Sequence, residues 1–238
     1  MPALRDIAAI RTVLEIDRVW AAYPLGDLAP GFFEHCSWFQ SQSDAGALAV
    51  LYRASAPPVL FAQGPAPSLA TILDEFSTDP SVYLHVRPEA LPVVSTRYRI
   101  VKLRRMWRMV LEPSAYHGVS SSDAVRLSSV RQSAVEQLYG DGDASGERPD
   151  FFFPSMLDQG VFYGLWEAGQ LGNVYTRRDR RSRGLAAQVT SAVVDELLRM
   201  HIRTIVLNVN QSNAAAIRVY EKLGFMRHCG YCEGLAER

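Results

Sequence analysis

A basic segment that contains one glycine, Arg181-Ser182-Arg183-Gly184-Leu185-Ala186, has the residue types of an anion-binding turn. It follows a short run of strand type, Gly172–Thr176, and opens a stretch with helical periodicity. The first N–H groups of a helix have no acceptor within the helix, and the helix dipole places partial positive charge there. Gly184 lets the backbone come close to a ligand, while Arg181 and Arg183 add charge for phosphate oxygens. We therefore expect a phosphate-bearing ligand at this turn.

The elements after the turn must position further groups beside it. Apolar residues at helical spacing predict a helix over 184–200, and those on its apolar face are Leu185, Val189, Val193, Leu197 and Met200. Ile205-Val206-Leu207 has the composition of a buried strand and is followed by Asn208-Val209-Asn210. A last helix is predicted from Ser212, its N-cap, to Leu223, with Gly224 just after its end.

Hydrophobic patterning also predicts the elements in the rest of the chain. The predicted helices lie near 4–23, 67–77, 131–139 and 154–159. The predicted strands lie near 46–53, 58–63, 81–86, 97–112, 125–130, 161–167, 171–177 and 226–232. This mixture of helices and strands is typical of an α/β protein.

The turn and the last helix together resemble the GNAT superfamily of N-acyltransferases, which bind acyl-coenzyme A. The cofactor motif of that family is Gln/Arg-x-x-Gly-x-Gly/Ala, and the matching residues here are Arg181, Gly184 and Ala186. A second family pattern is Asn-x-x-Ala-x-x-x-Tyr-x-x-x-Gly-Phe, and the matching residues are Asn213, Ala216, Tyr220, Gly224 and Phe225. The resemblance is close over roughly 172–226 and looser from about residue 125.

The resemblance implies a GNAT-like α/β (α+β) fold, in which helices flank a mixed sheet. It also implies an enzyme that moves an acetyl or other acyl group from acetyl-coenzyme A to a primary amine by direct attack. Tyr220 is implied as the general acid for the leaving thiolate, and a backbone N–H near Val174 as the donor to the oxyanion. Glu167 is a candidate general base by residue type only. The residues expected to bind the cofactor are Val174, Thr176, Arg181, Ser182, Arg183, Gly184, Leu185, Ala186, Asn208, Asn213 and Ala216.

The chain is expected to form two domains, divided just before the polar segment Ser120–Asp123. Residues 119–238 are predicted to be the catalytic, acyl-CoA-binding domain. Residues 1–118 have an element order that loosely resembles the same fold, but Gln63–Ser68, which contains two prolines, replaces the basic turn. This pattern is similar to the glycine N-acyltransferase-like branch, with a degenerate N-terminal half. Only about two strands fit between the helix near 154–159 and Arg181, where the family has three, so the acceptor floor and the general base stay open.

Composition argues against several classes of protein. The 238 residues are 48% hydrophobic, which suits one large domain or two of ordinary size, and the net charge of zero argues against a nucleic-acid binder. No apolar run is long enough to span a bilayer, and the first residues lack a signal-peptide core. The three cysteines form no even disulfide framework, and Cys229-x-x-Cys232 lacks a second pair for zinc. We expect a cytoplasmic protein with a small-molecule amine or amino-acid acceptor and without a metal.

Plainer interpretations of the same residues remain open. The run Arg177–Arg183 is also typical of a solvated surface or a nucleic-acid patch. Tyr220 shares an apolar stripe with Ile217 and Leu223, which is typical of a core aromatic residue. A non-catalytic acyl-CoA-binding or sensing module would keep the turn and would need no acid.

Overall fold

The computed structural model describes residues 4–41, 46–76, 79–143, 156–159, 162–165 and 175–238. The strands are β1 (Cys36–Gln40), β2 (Leu48–Tyr52), β3 (Val59–Gln63), β4 (Ser81–Val86), β5 (Arg99–Ile100), β6 (Arg104–Leu111), β7 (Ala124–Arg126), β8 (Tyr163–Leu165), β9 (Ile205–Asn210) and β10 (Met226–Glu237). The helices are α1 (Ile7–Leu14), α2 (Ala22–Gly26), α3 (Ala66–Phe76), α4 (Leu91–Val94), α5 (Gln132–Asp143), α6 (Met156–Gln159), α7 (Leu185–Arg199) and α8 (Ala214–Lys222). The predicted mixed α/β fold is confirmed.

The chain forms two compact units, each built from more than one segment of the sequence. Unit 1 comprises Met1–Val110, Val206–Asn213 and Arg227–Arg238, and unit 2 comprises Leu111–Ile205 and Ala214–Met226. Unit 1, which is built mainly from the N-terminal half, thus includes two C-terminal segments, and the division expected at residues 118/119 stays a prediction. No helix in the described ranges is long and apolar enough to cross a membrane.

Unit 1 is organised around a mixed sheet with the strand order β1-β2-β3-β4-β10-β6-β9, and β5 also pairs with β10. Strands β1, β2 and β3 are antiparallel neighbours, β3 and β4 run parallel, and β10 runs antiparallel to β4. Parallel neighbours need a crossover connection, and α3 provides it between β3 and β4.

The sheet of unit 1 has an apolar core on each face because successive strand residues point to opposite sides. Leu51 and Leu60 pack with Ile72 of α3 in one core. Val50 and Phe61 pack with the opposite core, whose members include Ile10 and Leu14 of α1, Trp20, Trp38 and Tyr231. The two helices α1 and α3 thus cover the two faces of one sheet.

The predicted long strand over 97–112 is wrong, because the chain breaks it into β5 and β6. The N–H groups of Val101 and Lys102 both donate to the carbonyl oxygen of Leu235, at 2.9 and 3.1 Å. Two residues then face one on the partner strand, as in a β-bulge. Gly234 allows the close approach, since a Cβ there would lie 1.9 Å from the Lys102 carbonyl oxygen.

Unit 2 contains the two-stranded sheet of β7 and β8, against which α7 packs. Its apolar core includes Leu127, Val135, Leu138, Tyr139 and Leu157. A buried carboxylate, Glu196 of α7, accepts hydrogen bonds from Arg126 of β7 and Tyr163 of β8, both at 2.5 Å. These charge-assisted bonds attach the helix to both strands.

The segment between β6 and β7 is fastened to α7 and to the end of α8. The Tyr116 hydroxyl donates to Asp195 Oδ1 at 2.9 Å, and the Val119 N–H donates to Ser191 Oγ at 3.1 Å. The His117 N–H donates to the Leu223 carbonyl oxygen at 3.1 Å. The C-terminal end of α8 therefore has a fixed neighbour in unit 2.

Several other predicted elements shift or divide in the structure. The single helix expected over 4–23 is wrong, because α1 ends at Leu14 and α2 begins at Ala22. Strand β1 was not predicted, whereas β4 has the predicted bounds. The stripe predicted for the helix over 184–200 is only partly buried: Val189 is buried, Val193 and Leu197 are half-buried, and Met200 is exposed.

The predicted end of the last helix at Gly224 is confirmed and forms a Schellman motif. The Phe225 N–H donates to the Tyr220 carbonyl oxygen at 3.0 Å, and the Gly224 N–H donates to the Glu221 carbonyl oxygen at 3.1 Å. Gly224 has a φ of +100°, and the rings of Tyr220 and Phe225 lie 6.1 Å apart. The helix begins at Ala214 rather than at the predicted Ser212.

We expect Gly224→Ala to destabilise the protein by about 2 kcal/mol or more. The residue has a left-handed backbone, and a Cβ would lie 1.9 Å from the Ala115 carbonyl oxygen. The matched control is Gly140→Ala inside α5, where a Cβ would meet nothing within 4 Å. That substitution should stabilise the protein by up to about 1 kcal/mol. Denaturant unfolding of both variants measures this, and two changes of the same sign would contradict it.

Asp27, just after α2, should make stability depend on pH. Burial raises its pKa from 3.8 to about 7. Between those values the unfolded chain loses this proton while the folded chain keeps it, so stability falls as pH rises. Asp27→Asn should therefore raise the free energy of unfolding by up to about 4 kcal/mol at pH 8 and change it little near pH 4. An equal effect at both pH values would exclude this account.

Candidate functional site

The turn before α7 has the backbone conformation that an anion site needs. Ser182 has a φ of +63°, and Gly184 is left-handed, with a φ of 77° and a ψ of 0°. The next residue, Leu185, begins the right-handed α7. A left-handed residue beside a right-handed one turns consecutive N–H groups toward one side, which creates a concavity for an anion. A Cβ at Gly184 would meet nothing within 4 Å, so glycine is used here for its conformation and for an open approach.

The first amides of α7 remain available to a ligand. The Gln188 N–H donates to the Gly184 carbonyl oxygen at 3.2 Å, which is the first hydrogen bond of the helix. The N–H groups of Leu185, Ala186 and Ala187 precede it and have no acceptor within the helix. Leu185 and Ala186 are half-buried, and the dipole of α7 adds partial positive charge at the same point.

The arginines around the turn have different partners. Arg177 and Arg180 lie 3.2 and 3.5 Å from the Asp179 carboxylate, so part of their charge is neutralised. Arg181 donates from Nε to the Thr176 carbonyl oxygen at 3.1 Å. Arg183 is exposed, and within the described ranges no ion pair to it is seen. It is the arginine of the turn best placed to pair with an external anion.

Arg181 and Thr176 connect the turn to the preceding chain. The Arg181 guanidinium lies 6.0 Å from the ring centre of Tyr175, and Tyr175 is buried in the core of unit 2. Thr176 is half-buried. Arg181 therefore holds the base of the turn as well as adding charge. Val174, the expected oxyanion donor, and Glu167, the candidate base, lie outside the described residues.

Helix α8 places small residues and Tyr220 in the same unit as the turn, and it packs against α7. Ala214 and Ala215 are exposed, and Ala216 is half-buried. Just before the helix, Asn213 is exposed, and its N–H donates to the Asn210 carbonyl oxygen at 2.9 Å. Asn213 thus directly precedes the first residue of α8, while its contact with a cofactor stays a prediction.

Tyr220 is buried, with 7% of its surface exposed, and burial raises its pKa to about 12. Its ring is fixed by Phe225 and by the helix cap. The phenol is consequently protonated at neutral pH, as a general acid must be. The ring of Tyr220 packs as a core aromatic residue would, whereas the expected role as general acid concerns its hydroxyl group and stays a prediction.

Asn208 lies in unit 1 and contacts a residue that the sequence did not associate with it. Its Nδ2 donates to the Tyr23 hydroxyl oxygen at 2.8 Å, while its Oδ1 is buried without a hydrogen-bond partner. Binding of the cofactor by Asn208 stays a prediction, because the contact that the structure shows is with Tyr23.

The C-x-x-C pair shows no feature of a metal or redox centre. Cys229 is half-buried and Cys232 is fully buried on β10, and burial raises the pKa of both thiols. His228 lies 2.8 Å from Asp17 Oδ1. Within the described ranges no group of three or more metal-binding side chains is found.

Sequence interpretation missed a buried cation, Arg108. It follows Trp107 in a run where basic and apolar residues partly alternate, a pattern that is typical of a strand whose basic residues face solvent. The structure buries it completely beside His85 and Trp20. A basic residue flanked by Trp107 and Met109 on a central strand was the available signal.

The region around this turn matches a protein-family model, and the whole chain resembles solved structures. The model of the FR47-like protein family matches residues 166–232, a span that includes the turn, α7, β9 and α8. A comparison with curated proteins found no match.

Solved structures resemble both halves of the chain. A Drosophila protein is 13% identical, with 99% of this chain and 97% of that chain covered and a TM-score of 0.73. A GCN5-related N-acetyltransferase from Sphaerobacter thermophilus is 17% identical, with coverage of 99% and 94% and a TM-score of 0.57. A tandem GNAT protein from the clavulanic acid biosynthesis pathway is 13% identical, with coverage of 99% and 96% and a TM-score of 0.52. The chain has the GNAT fold; the glycine N-acyltransferase-like branch and a degenerate half stay predictions.

Arg183→Met should weaken coenzyme A binding roughly tenfold, because an exposed charge-assisted hydrogen bond to phosphate is lost. The matched control is Arg177→Met in the same run, whose charge is already paired with Asp179. It should change the dissociation constant less than about threefold. Titration calorimetry at two salt concentrations measures both, and equal losses in the two variants would contradict the assignment.

Proposed function

We propose that the protein is an acyl-CoA-dependent N-acyltransferase that transfers an acyl group, acetyl by default, to a primary amine. The GNAT fold gives the general architecture. The single observation that carries the proposal is the left-handed turn at Gly184, which opens α7 next to the exposed Arg183. Fold alone does not determine function, so the argument depends on this site.

The turn matches the chemistry of a diphosphate. Adjacent phosphates need several hydrogen-bond donors in a small space, and the amides of Leu185, Ala186 and Ala187 supply them without a side chain. Gly184 leaves the approach open. The exposed Arg183 side chain adds a positively charged guanidinium that can reach the phosphate oxygens of the ligand. We assign the diphosphate of coenzyme A to this position, with Ser182 at its edge.

The small residues at the start of α8 suit the narrow pantetheine arm. Ala214 and Ala215 are exposed and Ala216 is half-buried, so no long side chain stands on this part of the helix. Asn213 and Thr176 offer polar groups for the amides of the arm. These assignments follow the family pattern and place the thioester end toward Tyr220.

Tyr220 is proposed as the general acid. The amine nitrogen attacks the thioester carbonyl carbon, a carbon–nitrogen bond forms, and the carbon–sulfur bond breaks. Sulfur leaves with the electron pair and takes the phenolic proton of Tyr220, while the proton of the amine passes to a base or to water. The protonated state of Tyr220 at neutral pH supports this direction of transfer. Glu167 stays a candidate for the base.

A thiol-release assay tests the proposal. Acetyl-coenzyme A and one longer acyl-coenzyme A are offered with a panel of primary amines, amino acids included. We expect free thiol to appear only when an amine is present, with the acylated amine as the product. Saturable binding of coenzyme A without any amine-dependent release would instead identify a binding module.

Tyr220→Phe should lower kcat by roughly 100-fold to 10,000-fold, because the proton donor is lost. Coenzyme A affinity should stay within about twofold, since the turn is unchanged. The ring and its contact with Phe225 are kept, so stability should change by less than about 1 kcal/mol.

The matched control is Tyr139→Phe, which removes the hydroxyl of another buried tyrosine in unit 2. Turnover of this variant should equal that of the unmodified protein. If Tyr220→Phe also keeps full turnover, Tyr220 is a core aromatic residue and the acid must be another group.

A further inference from the structure

Unit 1 contains a buried positive charge without an anionic partner. Arg108 of β6 has no exposed surface. Its Nη2 donates to the Trp20 carbonyl oxygen at 3.3 Å and to His85 Nε2 at 2.9 Å. Both partners are neutral. The first is a backbone carbonyl, and burial and the charge of Arg108 lower the pKa of His85 well below its usual value. Within the described ranges no carboxylate forms an ion pair with Arg108.

Two further nitrogens of the same guanidinium have nothing to donate to. Arg108 Nε and Nη1 are buried without a hydrogen-bond partner, and so is the indole Nε1 of Trp20. Buried donors are rarely left unpaired, and a buried unpaired charge is especially costly. Each of these groups is a donor, so the missing partner is an acceptor, and negative charge on that acceptor would offset the cost of the buried cation.

Aromatic rings surround the guanidinium but do not replace that acceptor. The Arg108 guanidinium carbon lies 4.4 Å from the ring centre of Tyr23, 5.6 Å from that of Tyr231 and 5.8 Å from that of Trp20. These cation–π contacts stabilise the charge. They offer ring faces instead of lone pairs, so the N–H groups at Nε and Nη1 remain unsatisfied.

The acidic side chain that accepts a hydrogen bond from the Trp20 backbone is already paired. Asp17 contacts both Arg87 and His228 and also accepts a hydrogen bond from the Trp20 N–H at 3.0 Å. These contacts occupy both of its carboxylate oxygens. Asp17 therefore cannot serve as the counter-ion of Arg108 without breaking an ion pair.

Tyr23 provides an entrance. Its side chain is half exposed, and its ring lies directly over the guanidinium. It belongs to the five-residue helix α2, and its hydroxyl is held by Asn208 Nδ2. Of the three rings around Arg108, those of Trp20 and Tyr231 are buried, whereas Tyr23 is exposed. The buried Oδ1 of Asn208, which has no partner, is an acceptor near the same ring.

We propose that Arg108 binds the carboxylate of a small organic anion in unit 1. One guanidinium matches one negative charge, which favours a monocarboxylate over a phosphate dianion. The aromatic surroundings favour a compact ligand with little further polarity. The carboxylate is that of an amino acid or of a simple carboxylic acid, and its binding in unit 1 does not depend on acyl transfer.

Direct binding to the full-length protein tests the site and does not depend on catalysis. Tryptophan fluorescence and calorimetry follow titrations with glycine, glycinamide, acetate and acetamide in a chloride-free buffer. We expect at least one carboxylate to bind roughly tenfold or more tightly than its amide. Binding of glycine alone assigns the site to amino acids, and binding of acetate as well assigns it to simple carboxylates. Equal weak binding of acids and amides overturns the proposal.

Two variants locate the effect. Arg108→Met should remove the preference for carboxylates, whereas Arg105→Met, an exposed arginine on the same strand, should keep it. A preference that survives Arg108→Met overturns the site. Absence of transfer with every amine would count against the proposed function and would leave the binding result intact.

Discussion

The unpaired N–H groups at the start of α7 are the constraint on which the rest of the candidate site depends. A helix cannot satisfy its own first donors, and here a left-handed Gly184 turns them outward together. The rest of α7 is held firmly, since Glu196 bonds to both strands of the small sheet. The proposed anion site therefore rests on the backbone conformation of this turn, and the arginines would add charge to that geometry.

The second family pattern has a structural reason that is independent of catalysis. Tyr220, Gly224 and Phe225 form a complete helix cap, in which the glycine supplies the left-handed residue and the two rings close the apolar contact. The same cap fixes the phenol of Tyr220 in a buried position, where its pKa is raised to about 12. Structure and proposed chemistry thus use different parts of one side chain, which is why replacing only the hydroxyl separates them.

Local rules predicted what depends on local sequence. The turn at Gly184, the stop at Gly224 and the bounds of β4 follow from residue types within a few positions. Non-local contacts decided the rest: β5 and β6 separate because two N–H groups share the Leu235 carbonyl oxygen. The C-terminal strand belongs to unit 1 because β10 pairs with β4, far earlier in the chain. Arg108 was missed for the same reason, since its aromatic neighbours come from separate parts of the sequence.

Residue-resolved amide hydrogen exchange, with and without saturating coenzyme A, tests the central claim most directly. The account predicts that coenzyme A slows exchange by roughly tenfold or more at Leu185, Ala186 and Ala187, where the amides gain phosphate acceptors. Gln188 is already bonded to the Gly184 carbonyl oxygen and should change much less. Saturable coenzyme A binding that leaves these three amides as fast as before would show that the phosphates bind elsewhere.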